Sequence, residues 1–202
     1  MTILLSDDRV RSIPLLDSGE PLVRLDARFG PARARVRAGV AERLSVAQEM
    51  LPAGIHLKVV EGHRSATDQL TIIDRYTAEL RAAHPGRPEA QIVELASRYV
   101  SPLDVAPHVA AAAVDVTLVD LGGRELDLGT PIDATPEESE GRCFFNAPDL
   151  DATARANREM LACALSGGGL VNYPTEWWHW SYGDRYWALV TGAPAALYGG
   201  VS

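Results

Sequence analysis

The stretch Asn172-Tyr-Pro-Thr-Glu-Trp-Trp-His-Trp-Ser181 gathers a carboxylate, an imidazole and three tryptophans in a chain that is only 6% aromatic. Glu176 can take up and release a proton, and His179 can act as a base or lend a ring nitrogen to a cation. If the segment is extended, Glu176 and Trp178 face one way and Trp177 and His179 the other. A twist or bulge at the strand end would bring Glu176 and His179 to one cavity. A second segment, Pro107-His-Val-Ala-Ala-Ala-Ala-Val-Asp-Val-Thr-Leu118, sets His108 seven residues before Asp115. Asp115 lies between Val114 and Val116 in an apolar, strand-like run, where a bare carboxylate is costly to bury. A divalent cation would compensate it, and catalytic zinc takes three N/O protein ligands with one position left open. His108, Asp115 and His179 supply that set, with Glu176 left over as general base for water. Singly, the same residues read as a solvent-facing histidine, a capping or edge-strand aspartate and a packed tryptophan cluster. Their joint occurrence favours the metal.

His-x6-Asp followed about sixty residues later by Glu-Trp-Trp-His resembles the D-alanyl-D-alanine dipeptidases, the VanX-like branch of the zinc D,D-peptidases in peptidase family M15. Two further motifs fall in the family's order. Glu61-Gly-His-Arg-Ser65 is similar to its Gly-x-Arg segment, and Leu128-Gly-Thr-Pro-Ile-Asp133 to its Gly-Thr-x-x-Asp turn. The resemblance covers residues 61 to 180 and implies zinc-dependent hydrolysis of the D-alanyl-D-alanine dipeptide, a small-molecule partner. It implies one zinc per chain on His108, Asp115 and His179, with Glu176 as base. It assigns Arg64 to the developing oxyanion and Asp133 to the substrate's amino group. On residues alone, Arg64 also reads as a surface ion pair with Glu61 or Asp68, and Asp133 as a turn-stabilising carboxylate.

The chain departs from the family pattern around this machinery. Ala106 stands where a serine or similar polar residue is usual, Ala111 where glycine is usual, Ser65 where proline is frequent and Trp180 where tyrosine is common. Ala106 cannot offer a hydroxyl to a substrate carboxylate, and Ala111 narrows a backbone that glycine would leave free at φ > 0. The ligand set is intact while the substrate surroundings are altered. Another small peptide or amide as substrate, and a metal-binding domain without catalysis, are the alternatives.

Elements must hold these residues. The pattern predicts an α+β fold: one domain over residues 1–202, with a small, mostly antiparallel sheet and helices packed on one side. Residues 1–30 read as short strands and turns. A helix is expected from Pro31 to Leu51, then a strand over 55–60 that delivers Arg64 at its end. Ser65 reads as the N-cap of a helix carrying Leu70, Ile73, Thr77 and Leu80, with Asp68 completing the cap. A further helix is expected from Glu89 to Val100 and a strand from Val114 to Val119, turning at Leu121-Gly-Gly-Arg124 into Glu125–Leu128. Residues 130–148 read as a long loop, and a helix capped by Asp149 or Asp151 runs to Leu165. Strands are expected at Leu170–Asn172, Glu176–Trp180 and Arg185–Val190. His63 reads as a packing residue.

Composition limits the rest. Hydrophobic residues make up 47% and charged residues 23% of 202 positions, ordinary values for a globular chain. The net charge of −8 argues against nucleic acid or an anionic membrane as partner. No run of about twenty apolar residues predicts a membrane span. The first residues do not read as a signal peptide. Two cysteines make no disulfide framework, Cys163 reads as a core thiol, and a cytoplasmic protein is expected.

Overall fold

The computed structural model describes residues 2–201. Its centre is a four-stranded antiparallel sheet in the order β3-β4-β6-β5, formed by β3 (Ile55–Glu61), β4 (Ala113–Asp120), β5 (Val171–Asn172) and β6 (His179–Ser181). A separate two-stranded ribbon pairs β1 (Leu22–Arg24) with β2 (Arg35–Arg37). The helices are α1 (Asp8–Ser12), α2 (Ala38–Met50), α3 (Ala66–Ala83), α4 (Glu89–Ala96), α5 (Ala152–Gly167) and α6 (Arg185–Thr191).

β4 is paired on both edges and buried along its length except at Asp120. Val114, Val116 and Leu118 point to one face and join Val40 and Leu44 of α2 and Leu161 and Leu165 of α5 in the main core. Asp115 and Thr117 occupy the other face, and both are buried. α3 flanks that second face, packed against α4 through Tyr76, Leu80, Ile92 and Ala96. The α+β class with antiparallel pairing is as expected, but helices flank both faces.

Several local expectations fail for identifiable reasons. The first residues contain a helix, α1, because the Asp7 side chain accepts from Arg9 N and Val10 finds a buried site. The helix expected from Pro31 starts at Ala38, since residues 35–37 pair with β1, a non-local contact that periodicity does not reveal. α4 stops at Ala96, and Glu125–Leu128 contributes only one isolated bridge, Val119 to Glu125. Arg185–Val190 is helix, not strand. Asp184 accepts from Trp187 N at the start, and Gly192, at φ 74°, closes the end. Cys163 is exposed on α5, whereas Cys143 is the buried thiol. The Ser65 cap of α3 is as expected: its Oγ accepts from Asp68 N at 3.1 Å.

Candidate metal centre and its cavity

Asp115 lies opposite Glu61 on β3 and His179 on β6, so sheet register alone puts three titratable residues in one row. The irregularity in β3 between Val59 and Glu61 sets where Glu61 falls in that row. His108 reaches the row from a loop. Residues 106–112 make one tight turn, with Ala110 N donating to Ala106 O, Ala111 N to His108 O and Ala112 N to Pro107 O. Ala111 ends the turn at φ 55°, the left-handed conformation that favours glycine. Arg37 clamps this turn, donating from its backbone N to Ala111 O and from Nε to Ala110 O.

Glu176 is not in a strand. Glu176 N donates to Tyr173 O and His179 N to Glu176 O, a pair of tight turns ahead of β6. The Asn172 amide fastens them, donating to Glu176 O at 2.9 Å and His179 O at 3.0 Å. The turn therefore brings Glu176 and His179 to one side, where strict alternation would have separated them. Trp177, Trp178 and Trp180 fill the space behind, each 1% exposed.

Three ligand atoms converge: one each from buried His108, Asp115 and His179, all within 4.8 Å of one another. His108 Nε2 is 3.1 Å from His179 Nδ1 and 3.4 Å from Asp115 Oδ1, and His179 Nδ1 is 3.2 Å from the same oxygen. His108 Nδ1 donates to Gly62 O at 2.7 Å, so its proton sits on the outer nitrogen and Nε2 turns a lone pair inward. Two ring nitrogens and a carboxylate oxygen facing each other at this range repel unless a cation or proton lies among them. This donor set suits a catalytic zinc: two imidazoles, one carboxylate and an open side. Burial opposes the Asp115 charge, but the two imidazoles outweigh it and hold the carboxyl well below its usual range. Burial also lowers the pKa of His179; for His108 the charge of Asp115 outweighs burial and raises it.

The centre opens into a cavity of about 230 Å³, lined also by Arg64, Gln69, Arg75, Tyr99, Asp133, Tyr173 and Glu176. Glu176 Oε2 is 3.8 Å from His179 Nδ1. Burial, and then the carboxylates of Asp115 and Asp133, push the Glu176 carboxyl well above its ordinary range. Arg64 lies past the end of β3, where Gly62 packs so tightly that a Cβ would sit 2.6 Å from Arg35 O. Its Nε donates to Glu61 Oε1 at 2.8 Å, Nη2 to Glu61 Oε2 and Nη1 to Gln69 Oε1 at 2.9 Å. Burial works against its charge, but Glu61 outweighs burial and raises its pKa. Asp133 stands at φ 64°, and burial, then Asp115 and Glu61, push its carboxyl up to about 6. His63 lies outside the cavity lining and packs at the strand end.

Sequence reasoning missed the supports. Gln69 holds Arg64 and donates to Ser101 O at 2.8 Å, and it follows Arg64 by five residues, a spacing a strand-to-helix turn could have suggested. Buried Arg158 of α5 donates to Leu128 O, Arg142 O and Phe144 O, pinning both ends of the loop that carries Asp133. Nothing in the sequence pattern marks Arg158.

An open three-ligand centre beside an elevated glutamate and a fixed arginine is the arrangement of a metal-dependent hydrolase. Residues 31–191 match the family model for peptidase family M15, described as D-ala-D-ala dipeptidase, and the chain belongs to that family. It is 27% identical over 216 residues to a D-alanyl-D-alanine dipeptidase of Synechocystis sp. (strain ATCC 27184 / PCC 6803 / Kazusa), covering 88% of this chain and 87% of that protein. It is 36% identical over 72 residues to a D-alanyl-D-alanine dipeptidase of Escherichia coli (strain K12), covering 36% of this chain and 35% of that one. Among solved structures it is similar to a mutant of the vancomycin-resistance D,D-pentapeptidase VanY in complex with Zn(II), with a TM-score of 0.47 and 19% identity, covering 96% of this chain and 94% of that one. It is also similar to VanYB in complex with D-alanine-D-alanine, with a TM-score of 0.45 and 19% identity, covering 92% and 94%.

Proposed function

We propose that this chain hydrolyses the D-alanyl-D-alanine dipeptide with one zinc held by His108, Asp115 and His179. The observation that carries the reading is the convergence of those three buried ligand atoms within 4.8 Å, in a cavity that also holds Glu176 and Arg64. When bound, zinc supplies Lewis acidity, making water a stronger acid and polarising a carbonyl oxygen. Glu176 takes the proton from the attacking water and returns it to the leaving amine. Its raised pKa suits both halves of that task. Glu61 and Gln69 engage three of the five N–H donors of Arg64, which leaves two to meet the oxygen charge that develops on the scissile carbonyl. Asp133, carried by the clamped loop, receives the substrate's ammonium group and so favours very short peptides. Two unpaired cysteines, one exposed, fit a reducing compartment such as the cytoplasm. Among the described residues no helix is long and apolar enough to cross a membrane.

The test is a hydrolysis panel of L,L, D,D and mixed dipeptides on zinc-loaded protein, with Glu176→Gln as control. Glu176-dependent cleavage led by D-Ala-D-Ala is expected. Glu176-dependent cleavage of a different dipeptide or amide, with D-Ala-D-Ala untouched, overturns the substrate assignment and keeps the chemistry.

A further inference from the structure

We infer that Arg75 is the carboxylate anchor of this cavity, the group that holds the C-terminal carboxylate of the dipeptide. The inference rests on the dipeptidase reading above and deepens it. Gln69, Ile72 and Arg75 recur at three-residue intervals on α3 and all line the cavity. Two guanidinium groups reach that lining. Arg64 is committed: three of its N–H donors bond Glu61 and Gln69, and the two that remain are those assigned above to the scissile carbonyl oxygen. Arg75 has one loose ion pair, to Glu79 at 4.0 Å, between side chains 66% and 62% exposed. Such a pair contributes little and yields readily to a better partner.

The charges of the cavity sort the ends of a zwitterionic ligand. Of the four lining carboxylates, Glu61 is paired with Arg64, Asp115 faces the two imidazoles and Glu176 is the base beside them, which leaves Asp133 for an ammonium group. For a carboxylate, Arg75 is the lining guanidinium not already engaged, and its planar fork can meet a carboxylate through two N–H donors. Tyr99 lines the same cavity, and the charges of both Asp133 and Arg75 reach its hydroxyl, so the two candidate anchors lie within range of one small ligand. Residue 106, where the sequence first directs attention for carboxylate recognition, is not among the residues lining this cavity. Ala106 borders a separate cavity of about 70 Å³ with Asp184 and Tyr198, and it offers no hydroxyl of its own.

The experiment compares kcat and KM for D-Ala-D-Ala and its C-terminal amide in the zinc-loaded wild type, Arg75→Gln and Arg75→Lys. Arg75→Gln should raise KM for the free acid about 10- to 100-fold, the scale of a hydrogen bond to a charged group, and leave the amide unchanged. Arg75→Lys should recover part of the loss. Equal loss on both compounds, or none on either, overturns the assignment. If the wild type cleaves neither compound, the dipeptidase reading falls, and calorimetry still decides Arg75. In that case zinc-loaded Glu176→Gln protein is titrated with the acids and amides of D-Ala-D-Ala and L-Ala-L-Ala. A preference for the acids that Arg75→Gln abolishes sustains the anchor; no such preference overturns it.

Discussion

Asp115 and His179 face each other across β4 and β6, and their ligand atoms, Oδ1 and Nδ1, lie 3.2 Å apart. A strand pair thus sets most of the metal geometry, and only His108 depends on a loop. One zinc per chain is the expected content by elemental analysis. His108→Ala/His179→Ala should lose it. In the wild type, chelation should lower the melting temperature, because an ion bound only by the folded state stabilises it by mass action. Full metal content in the double variant would remove these residues from the centre.

Glu176→Gln should keep its zinc and lose about 10²–10⁴-fold in kcat, the usual scale for a missing general base. Glutamine preserves the shape of the turn, whose backbone contacts to Asn172 and Tyr173 do not involve the carboxylate. Loss of metal in this variant would instead make Glu176 a ligand.

Asp184, which does not line the catalytic cavity, gives a pH-dependent prediction. Its carboxyl is buried, Oδ2 has no partner, and burial pushes its pKa from 3.8 up to about 6. The folded state therefore holds this proton more tightly than the unfolded chain. The corresponding stability is fully present below 3.8 and is lost as pH rises through about 6. At about 1.36 kcal/mol per pKa unit the effect is at most about 3 kcal/mol. Asp184→Asn keeps a good N-cap for α6 without the buried charge. Its melting temperature should exceed that of the wild type at pH 8, with the gap closing towards pH 4. A gap independent of pH would refute the account.

Ala111 and Ala112 are both fully buried neighbours, yet glycine should affect them differently. Ala112→Gly removes a packed methyl, worth about 0.8 kcal/mol, and adds about 0.5–1 kcal/mol of backbone entropy cost. Ala111→Gly loses a similar methyl but relieves a left-handed alanine, a strain of about 1–2 kcal/mol. Denaturant unfolding should show a loss of about 1–2 kcal/mol for Ala112→Gly and little change for Ala111→Gly. Comparable losses would mean that the φ of 55° carries no strain.

The parts of this molecule legible from sequence are those governed by local rules. β3, the Ser65 cap and α5 follow from periodicity and capping, and the meeting of His108, Asp115 and His179 follows from residue types that together suit a cation. The parts that were not legible depend on partners far away in sequence. Arg35–Arg37 leaves the helical pattern because β1 waits thirteen residues earlier. Arg185–Val190 looks like a strand by its Tyr, Trp and Val, yet Asp184 and Gly192 bracket a helix, and those two signals deserved more weight than propensity. Arg75 carries no mark in the sequence, because an exposed helix arginine gains meaning only from the distant residues that share its cavity.

β6 has only three residues, and few ladder hydrogen bonds hold its position against β4. In a sheet, a slip of one residue turns every side chain to the other face. His179 would then leave the centre and Trp180 would take its place. The three buried tryptophans oppose this, since a slip would displace large rings that are each only 1% exposed in a close-packed core. They work as a ruler laid along the strand, measuring out where the histidine must stop.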